Sequence, residues 1–378
     1  MDKLLIPGNV FLTSSDEFQT SILDEVKSKN VILFMSGSSA KRLSLETWIN
    51  NLNINSSLLW IDKLPSNPTY KDVYKTLSII KGFKADLVIA IGGGSTIDMA
   101  KASVGLSYLL DCENLNEVTV LEAIKSKVYL KQPSNIPIYG VPTTAGTGSE
   151  VTRWATIWDM DSGSKYSVDD PFLYPKKAYI IAEFTVSMPK RLTLSTGLDA
   201  LCQAVEAYWS KATNPMVKEL SKAAIRLIIE YLPKVIEDTT NVYYREKVSL
   251  GSLFSGFAFS NTRTTACHSI SYPLTMKFGI EHGLACIISL PKVMEINLEA
   301  IDEVDELFKA LKVKNTAELQ RWLDEITGDI VDLKLSSFGI KHEDIDELVA
   351  MSFTLGRMDN NPISILPKDV RKILGSVF

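Results

Sequence analysis

No two cysteines in this sequence stand at the spacing of a redox or zinc motif. Cys112, Cys202, Cys267 and Cys286 form no CxxC pair, which argues against a zinc ribbon and a thioredoxin-like centre. Basic excess is missing too. The net charge of −5 offers nothing to draw in nucleic acid or an anionic membrane surface. Long apolar runs are absent: Ala285–Val293 is interrupted by Pro291 and Lys292 and is too short to span a bilayer. The opening run Met1–Pro7 has no basic start, long apolar core or small-residue cleavage site, so it reads as a first strand rather than a leader. Together these absences imply a soluble, cytoplasmic protein with reduced thiols. Histidine is scarce as well, with only His268, His282 and His342 in 378 residues. A chain of that length exceeds what one core usually serves, so two domains are expected.

The texture changes near Pro189. Before it, short β-rich runs alternate with polar helical stretches: Val31–Phe34, Ser57–Trp60, Leu87–Ile91, Ile136–Val141 and Lys177–Ala182. Runs of this length with helices between them suit parallel strands buried on both faces. After Pro189 the pattern is helical, over Gly197–Ser210, Pro215–Glu237, Tyr244–Ser260, Val304–Leu311, Thr316–Glu325 and Pro367–Leu374. The expectation is an α/β dinucleotide-binding domain over 1–188 and an all-helical domain over 189–378, with ligands in the cleft between them.

Two loops in the first half carry nucleotide chemistry. Gly92-Gly93-Gly94-Ser95 follows the Leu87–Ile91 strand and opens a helix. Glycines let the backbone approach a pyrophosphate, and the first-turn N–H groups face the anion. Alone, GGGS is equally a tight strand-to-helix turn, since it is not GxGxxG. The second loop, Pro142–Glu150 (PTTAGTGSE), follows another strand. Two donor-rich loops at strand carboxyl ends point to a nucleotide.

The second half holds a candidate metal site. Asp199 and Gln203 stand at i and i+4 on an otherwise apolar helix, so they share a face. Buried polar groups there must be paired, coordinated or wet. His268 and His282 follow in the same half. Asp199, His268 and His282 taken together favour a divalent metal acting as Lewis acid over a hydrogen-bonded network. His342 sits in a charged stretch (KHEDID) and reads as incidental.

At these residues the chain resembles the iron-containing, group III alcohol dehydrogenases, which share a dehydroquinate synthase-like fold. The resemblance rests on GGGS at Gly92–Ser95 with Asp98 and Lys101, on Pro142–Glu150, on Thr196–Leu201 and on His282–Ala285, in the family's order. It implies metal ligands at Asp199, Gln203, His268 and His282, where Gln203 replaces a histidine. It implies nucleotide contacts at Gly93, Gly94, Ser95, Asp98, Thr143, Thr144, Thr147, Ser149 and Lys165. The family's usual second histidine, four residues after His268, is Tyr272 here. A homodimer, Fe2+ (with Zn2+ as the alternative) and NAD(H) or NADP(H) come with the resemblance. Ala200–Ser210 and Arg263–Tyr272 are similar to the phosphonoacetaldehyde reductase branch, which reduces phosphonoacetaldehyde to 2-hydroxyethylphosphonate.

The expected reaction is metal-assisted hydride transfer from nicotinamide to a small aldehyde, with Asp199, His268, His282 and Tyr272 at the catalytic centre. The proton comes from the Tyr272 phenol, a water chain or the ribose hydroxyl. Lys165, Arg153 and Arg263 are candidates to pair a phosphonate, and each could instead form a surface ion pair. After the second strand stand Ser36, Ser38, Ser39, Lys41 and Arg42 with no acid among them, which favours NADP(H) unless these residues only cap the next helix. A general short-chain alcohol dehydrogenase and a non-catalytic nucleotide-binding relative are the alternatives; Gln203 favours the latter. A lyase or synthase would need a different metal triad and several basic residues that are not found.

Overall fold

The structure is a computed structural model that describes residues 4–6 and 8–378 of the chain. It divides into two compact units, one of residues 6–144 and 149–187, the other of 145–148 and 188–378 together with the start of the chain.

The first unit is built on a six-stranded, all-parallel sheet. Its strands are β1 (Asn9–Leu12), β2 (Asn30–Phe34), β3 (Ser57–Ile61), β4 (Leu87–Gly92), β5 (Ile138–Pro142) and β8 (Lys177–Ile180), in the order β1-β8-β5-β4-β2-β3. Alternate residues of the central strands enter different cores, as the two-residue period of a strand requires. Ile32, Phe34, Val88 and Ala90 join one apolar cluster, while Val31, Leu33, Leu87, Ile89 and Ile91 join the other. Burial on both faces explains why these runs are almost wholly apolar. From edge strand β3 the chain crosses to β4, on the far side of β2. The order therefore reverses between β2 and β4, the place where open α/β sheets bind ligands. Both the GGGS turn and Ser36 lie at strand carboxyl ends there.

Two readings of the sequence change here. The strand expected over Met1–Pro7 is not where the edge strand lies. Residues 1–3 and 7 fall outside the described residues, residues 4–6 carry no strand, and β1 begins at Asn9. Physically, the Leu5 backbone is already satisfied by the Asn261 side chain, which accepts from its N–H at 2.7 Å and donates to its carbonyl at 3.0 Å. Gly8 then turns with φ +62°, so tightly that a Cβ would sit 2.4 Å from the Pro175 carbonyl oxygen. The second change is an antiparallel pair, β6 (Trp154–Asp159) and β7 (Ser164–Asp169), which no expectation covered. Its signal was legible in the β-rich WATIW run and the Asp-Ser-Gly turn after it.

The helical unit is centred on Lys190–Trp209, whose residues from Gly197 to Trp209 are all buried. A helix buried all round belongs in the middle of a core. It packs with the helices Pro215–Glu237 and Val242–Thr262. Asn214 caps the first of these, with Pro215 in its first turn, where the missing N–H costs nothing. No described helix is long and apolar enough to cross a membrane.

Candidate active site

The Lys190–Trp209 helix carries three polar residues on one stripe: Asp199, Gln203 and Glu206, at i, i+4 and i+7, with 3 %, 4 % and 0 % of their surface exposed. His268 lies on the helix Ala266–Phe278, and His282 opens the short helix His282–Ile287. Asp199 Oδ1 and His268 Nε2 stand 3.4 Å apart, yet both are buried with no hydrogen-bond partner. A buried polar atom left unpaired costs about 1–3 kcal/mol. Two such atoms aimed at the same space are what a metal site leaves in a protein.

Glu206 decides which imidazole nitrogen is available. One of its oxygens is hydrogen-bonded to His268 Nδ1, and the other accepts from Cys267 N–H (2.7 Å) and Thr265 Oγ1 (2.8 Å). With Nδ1 held by a carboxylate, His268 presents Nε2 toward Asp199, the arrangement metal-bound histidines use. Donor atoms of Asp199, His268, His282 and Cys286 all lie within 4.8 Å of one another. The residues therefore fit a divalent transition metal. Gln203 is weaker in that role: its Oε1 is 3.4 Å from the Ser255 hydroxyl, which also donates to the Ala200 carbonyl at 2.8 Å.

Charge and packing shape the rest of the centre. Burial would lower the His268 pKa, but Cys286, Glu206 and Asp199 together hold it well above its ordinary value. Burial would raise the Cys286 thiol, yet the Cys202 thiol and the two imidazoles hold it well below. The Tyr272 ring stacks on the His282 ring at 6.0 Å and 13°. Gly283 explains how the His282 helix comes so close: a Cβ there would lie 1.8 Å from the Ser195 carbonyl oxygen and 2.9 Å from Asp199 Cβ. Glu281, just before His282, is paired by Arg191, with one bond at 2.8 Å.

In the parallel-sheet unit, Gly93 starts the helix Gly94–Gly105, whose first-turn amides Gly94 and Ser95 follow β4. A Cβ on Gly92 would meet Thr96 Oγ1 at 2.4 Å, so the turn requires glycine. Thr143 N–H donates to the Gly92 carbonyl at 2.9 Å, and the Thr144 side chain lies beside Gly93. These residues are brought together at the β4 and β5 ends. Asp98 plays a bracing part: it accepts from Ser149 Oγ (2.6 Å) and Thr156 N–H (2.9 Å). Fully buried Lys101 donates to Ser149 Oγ (3.2 Å), Thr152 Oγ1 (3.1 Å) and the Trp154 carbonyl (3.2 Å). The loop's glycines serve packing. Gly146 lies against Thr196, and Gly148 (φ +58°) lies against Gly256, so Ala145–Gly148, with Thr147, belongs to the helical unit. Ser36 caps the helix Gly37–Arg42 by accepting from Ser39 N–H, and Ser38 and Ser39 gather round its hydroxyl.

The three candidate anion-binding cations differ. Arg153 pairs with Asp169 at 2.8 Å. Lys165, on β7, lies over the Trp158 ring. Arg263 ends the helix Val242–Thr262 in the left-handed region, φ +62°, and its guanidinium lies beside Gly356. His342 stacks on Phe378 in a surface turn. Two residues that bear on the centre went unread in the sequence, Glu206 and Cys286. Their signals were helical spacing from a recognised residue, i+7 from Asp199 and i+4 from His282.

A dinucleotide-type sheet in one unit and a buried carboxylate–imidazole cluster in the other are consistent with a nicotinamide-linked oxidoreductase. Family models agree: the iron-containing alcohol dehydrogenase model matches residues 14–181, and that family's C-terminal model matches 193–378. The chain belongs to the iron-containing alcohol dehydrogenase family, with its dehydroquinate synthase-like fold, and is an NAD(P)-dependent oxidoreductase acting on alcohols and aldehydes. It is 30% identical to a phosphonoacetaldehyde reductase of Streptomyces viridochromogenes, over 82% of this chain and 80% of that protein. It is 29% identical to an NAD-dependent methanol dehydrogenase of Bacillus methanolicus, over 82% of each. Among solved structures it is similar to a sulfoacetaldehyde reductase of Bifidobacterium kashiwanohense in complex with NAD+, with TM-score 0.87 and 25% identity, covering 100% of this chain and 98% of that one.

Proposed function

We propose that this enzyme reduces phosphonoacetaldehyde to 2-hydroxyethylphosphonate, using NADPH and a divalent metal held by Asp199, His268 and His282. The observation that carries the reading is the likeness to two reductases named for two-carbon aldehydes with an anionic head, one phosphonate and one sulfonate. When bound, the metal supplies Lewis-acid polarisation of the carbonyl and the reduced nicotinamide supplies the hydride. Asp199 and His268 hold their donor atoms ready because Glu206 fixes the imidazole. Tyr272, packed on His282, is a candidate donor of the alcohol proton, beside a water chain or the ribose hydroxyl. The Gly94 and Ser95 amides face the pyrophosphate, with Gly93, Thr143 and Thr144 beside them; Asp98 and Ser149 brace this loop. Ser36 is occupied as a cap, which leaves Ser38, Lys41 and Arg42 to read a 2′-phosphate. Lys165, Arg153 and Arg263 remain the candidates to pair the phosphonate, and Arg153 can do so only by leaving Asp169.

A site that pairs an anion rejects analogues lacking it, because its own cations then go unmatched. We expect kcat/KM for phosphonoacetaldehyde to exceed that for propionaldehyde by at least about a hundredfold. Changing the cation that touches the phosphonate to Ala should erase most of that ratio. Equal values for the two aldehydes would instead identify a general short-chain alcohol dehydrogenase, the reading that the methanol dehydrogenase relative favours. For the cofactor, a tenfold preference for NADH, about 1.4 kcal/mol, would overturn the NADPH assignment.

A further inference from the structure

We propose that Cys286 is itself a metal ligand, completing an Asp199–His268–His282–Cys286 site in which a thiolate takes the place of the histidine missing at position 203. The inference rests on the metal-dependent reading above. Its starting point is geometry. Cys286 Sγ lies 3.8 and 3.9 Å from the two ring nitrogens of His282, and Asp199 Oδ1 lies 3.4 Å from His268 Nε2. A tetrahedral site with bonds of about 2.05 Å to nitrogen or oxygen and about 2.3 Å to sulfur has edges of about 3.3 and 3.6 Å. The Asp199–His268 separation and one of the two Cys286–His282 separations are within a few tenths of an ångström of those edges, and the other donor pairs lie within 4.8 Å.

Local structure explains why the sulfur points there. His282 and Cys286 stand at i and i+4 on one short helix, so their side chains share a face. That face is pressed against Asp199 because position 283 is glycine. A buried cysteine is ordinarily a small hydrophobe, whereas this one turns its sulfur toward two imidazoles and a carboxylate with an unpartnered oxygen. Gln203 competes poorly, being a neutral amide near the Ser255 hydroxyl. Cys202, Glu206 and His268 form a second close group, but His268 Nδ1 is already held by Glu206, so that group holds the ligand rather than the metal. A thiolate makes the site softer and favours zinc over iron(II).

The test uses the whole protein, stripped with a chelator and reloaded with one equivalent of Co2+ or Zn2+. The wild type should develop a near-ultraviolet sulfur-to-cobalt charge-transfer band. Zinc X-ray absorption should show one sulfur at about 2.3 Å. Cys286→Ser should lose both signals and bind zinc at least about tenfold more weakly, the loss seen even for an outer partner of a metal ligand. Cys202→Ala and Cys267→Ala should keep them. One bound metal with only nitrogen and oxygen neighbours in the wild type would overturn the Cys286 assignment and leave the metal reading standing. No bound metal at all would overturn both. Should Cys286→Ser fail to fold, the wild-type spectra decide alone.

Discussion

Glu206 has no exposed surface and both of its oxygens are engaged, one by His268 and one by Cys267 and Thr265. Replacing it with Gln turns one acceptor into an N–H that must face another donor. We expect Glu206→Gln to weaken metal binding about 10–100-fold with helix content unchanged, as checked by chelator competition alongside far-ultraviolet circular dichroism. Glu150 offers a different residue-scale test. Burial pushes its pKa from 4.5 to about 7, against its own backbone hydrogen bond and Lys101. A group raised in the folded state binds more protons there than in the unfolded chain between those values. Stability from this group is therefore fully present below about pH 4.5 and is lost as pH rises through about 7, on the order of 3 kcal/mol. Lys101, lowered by burial to about 8, acts in another window. Its contribution is present above its ordinary 10.5 and is lost as pH falls through 8. Denaturant midpoints at pH 5 and 8 check this: Glu150→Gln should be more stable than wild type at pH 8, with the gap narrowing at pH 5. An equal gap at both would refute the Glu150 assignment.

At the scale of elements, the proposed metal centre depends on how closely two helices approach. The Lys190–Trp209 and His282–Ile287 helices meet at Gly283, where a Cβ has no room beside the Ser195 carbonyl oxygen. Backbone cannot step aside as a flexible side chain can, so Gly283→Ala must push the His282 helix away. We expect it to cost about 1–3 kcal/mol or more and to reduce metal binding further than its loss of stability explains. Thermal unfolding and metal titration on the same preparation separate the two effects. A variant with wild-type metal affinity would show that this contact does not set the site. Much of this level was legible in the sequence. Pro215–Glu237 and Val304–Leu311 are observed at the expected bounds, because a strong apolar period announces a helix, and Asn214 and Pro215 add a start signal to the first. The first strand was misplaced because a satisfied backbone at Leu5 depends on Asn261, 256 residues away.

At the scale of the molecule, the proposed metal ligands come from three separate helices of one unit, 199 to 286 in the sequence. A ligand that bridges them stabilises the folded unit by RT ln(1 + [L]/Kd), about 2.7 kcal/mol at a hundred times Kd. Removing the metal should therefore lower Tm and speed amide exchange in those three helices, with least change in β2, β4 and β5. Exchange that rises uniformly along the chain would argue that metal does not organise this unit.

Composition, period and motif order were enough to define a parallel-sheet unit, a helical unit, two donor-rich loops and the family. Each of these is written locally, in strand runs, helix faces and spaced motifs, so no contact between distant residues is needed to read it. The centre was only partly legible. Asp199 stood out as a carboxylate on an apolar helix and His268 and His282 as two of only three histidines, but Glu206 looked like one more charged residue on a helix, and Cys286 like one more buried thiol. Their roles depend on which residues of distant segments face them. Only tertiary packing turns a carboxylate toward His268 Nδ1, and only the missing Cβ at Gly283 lets the face shared by His282 and Cys286 press against Asp199.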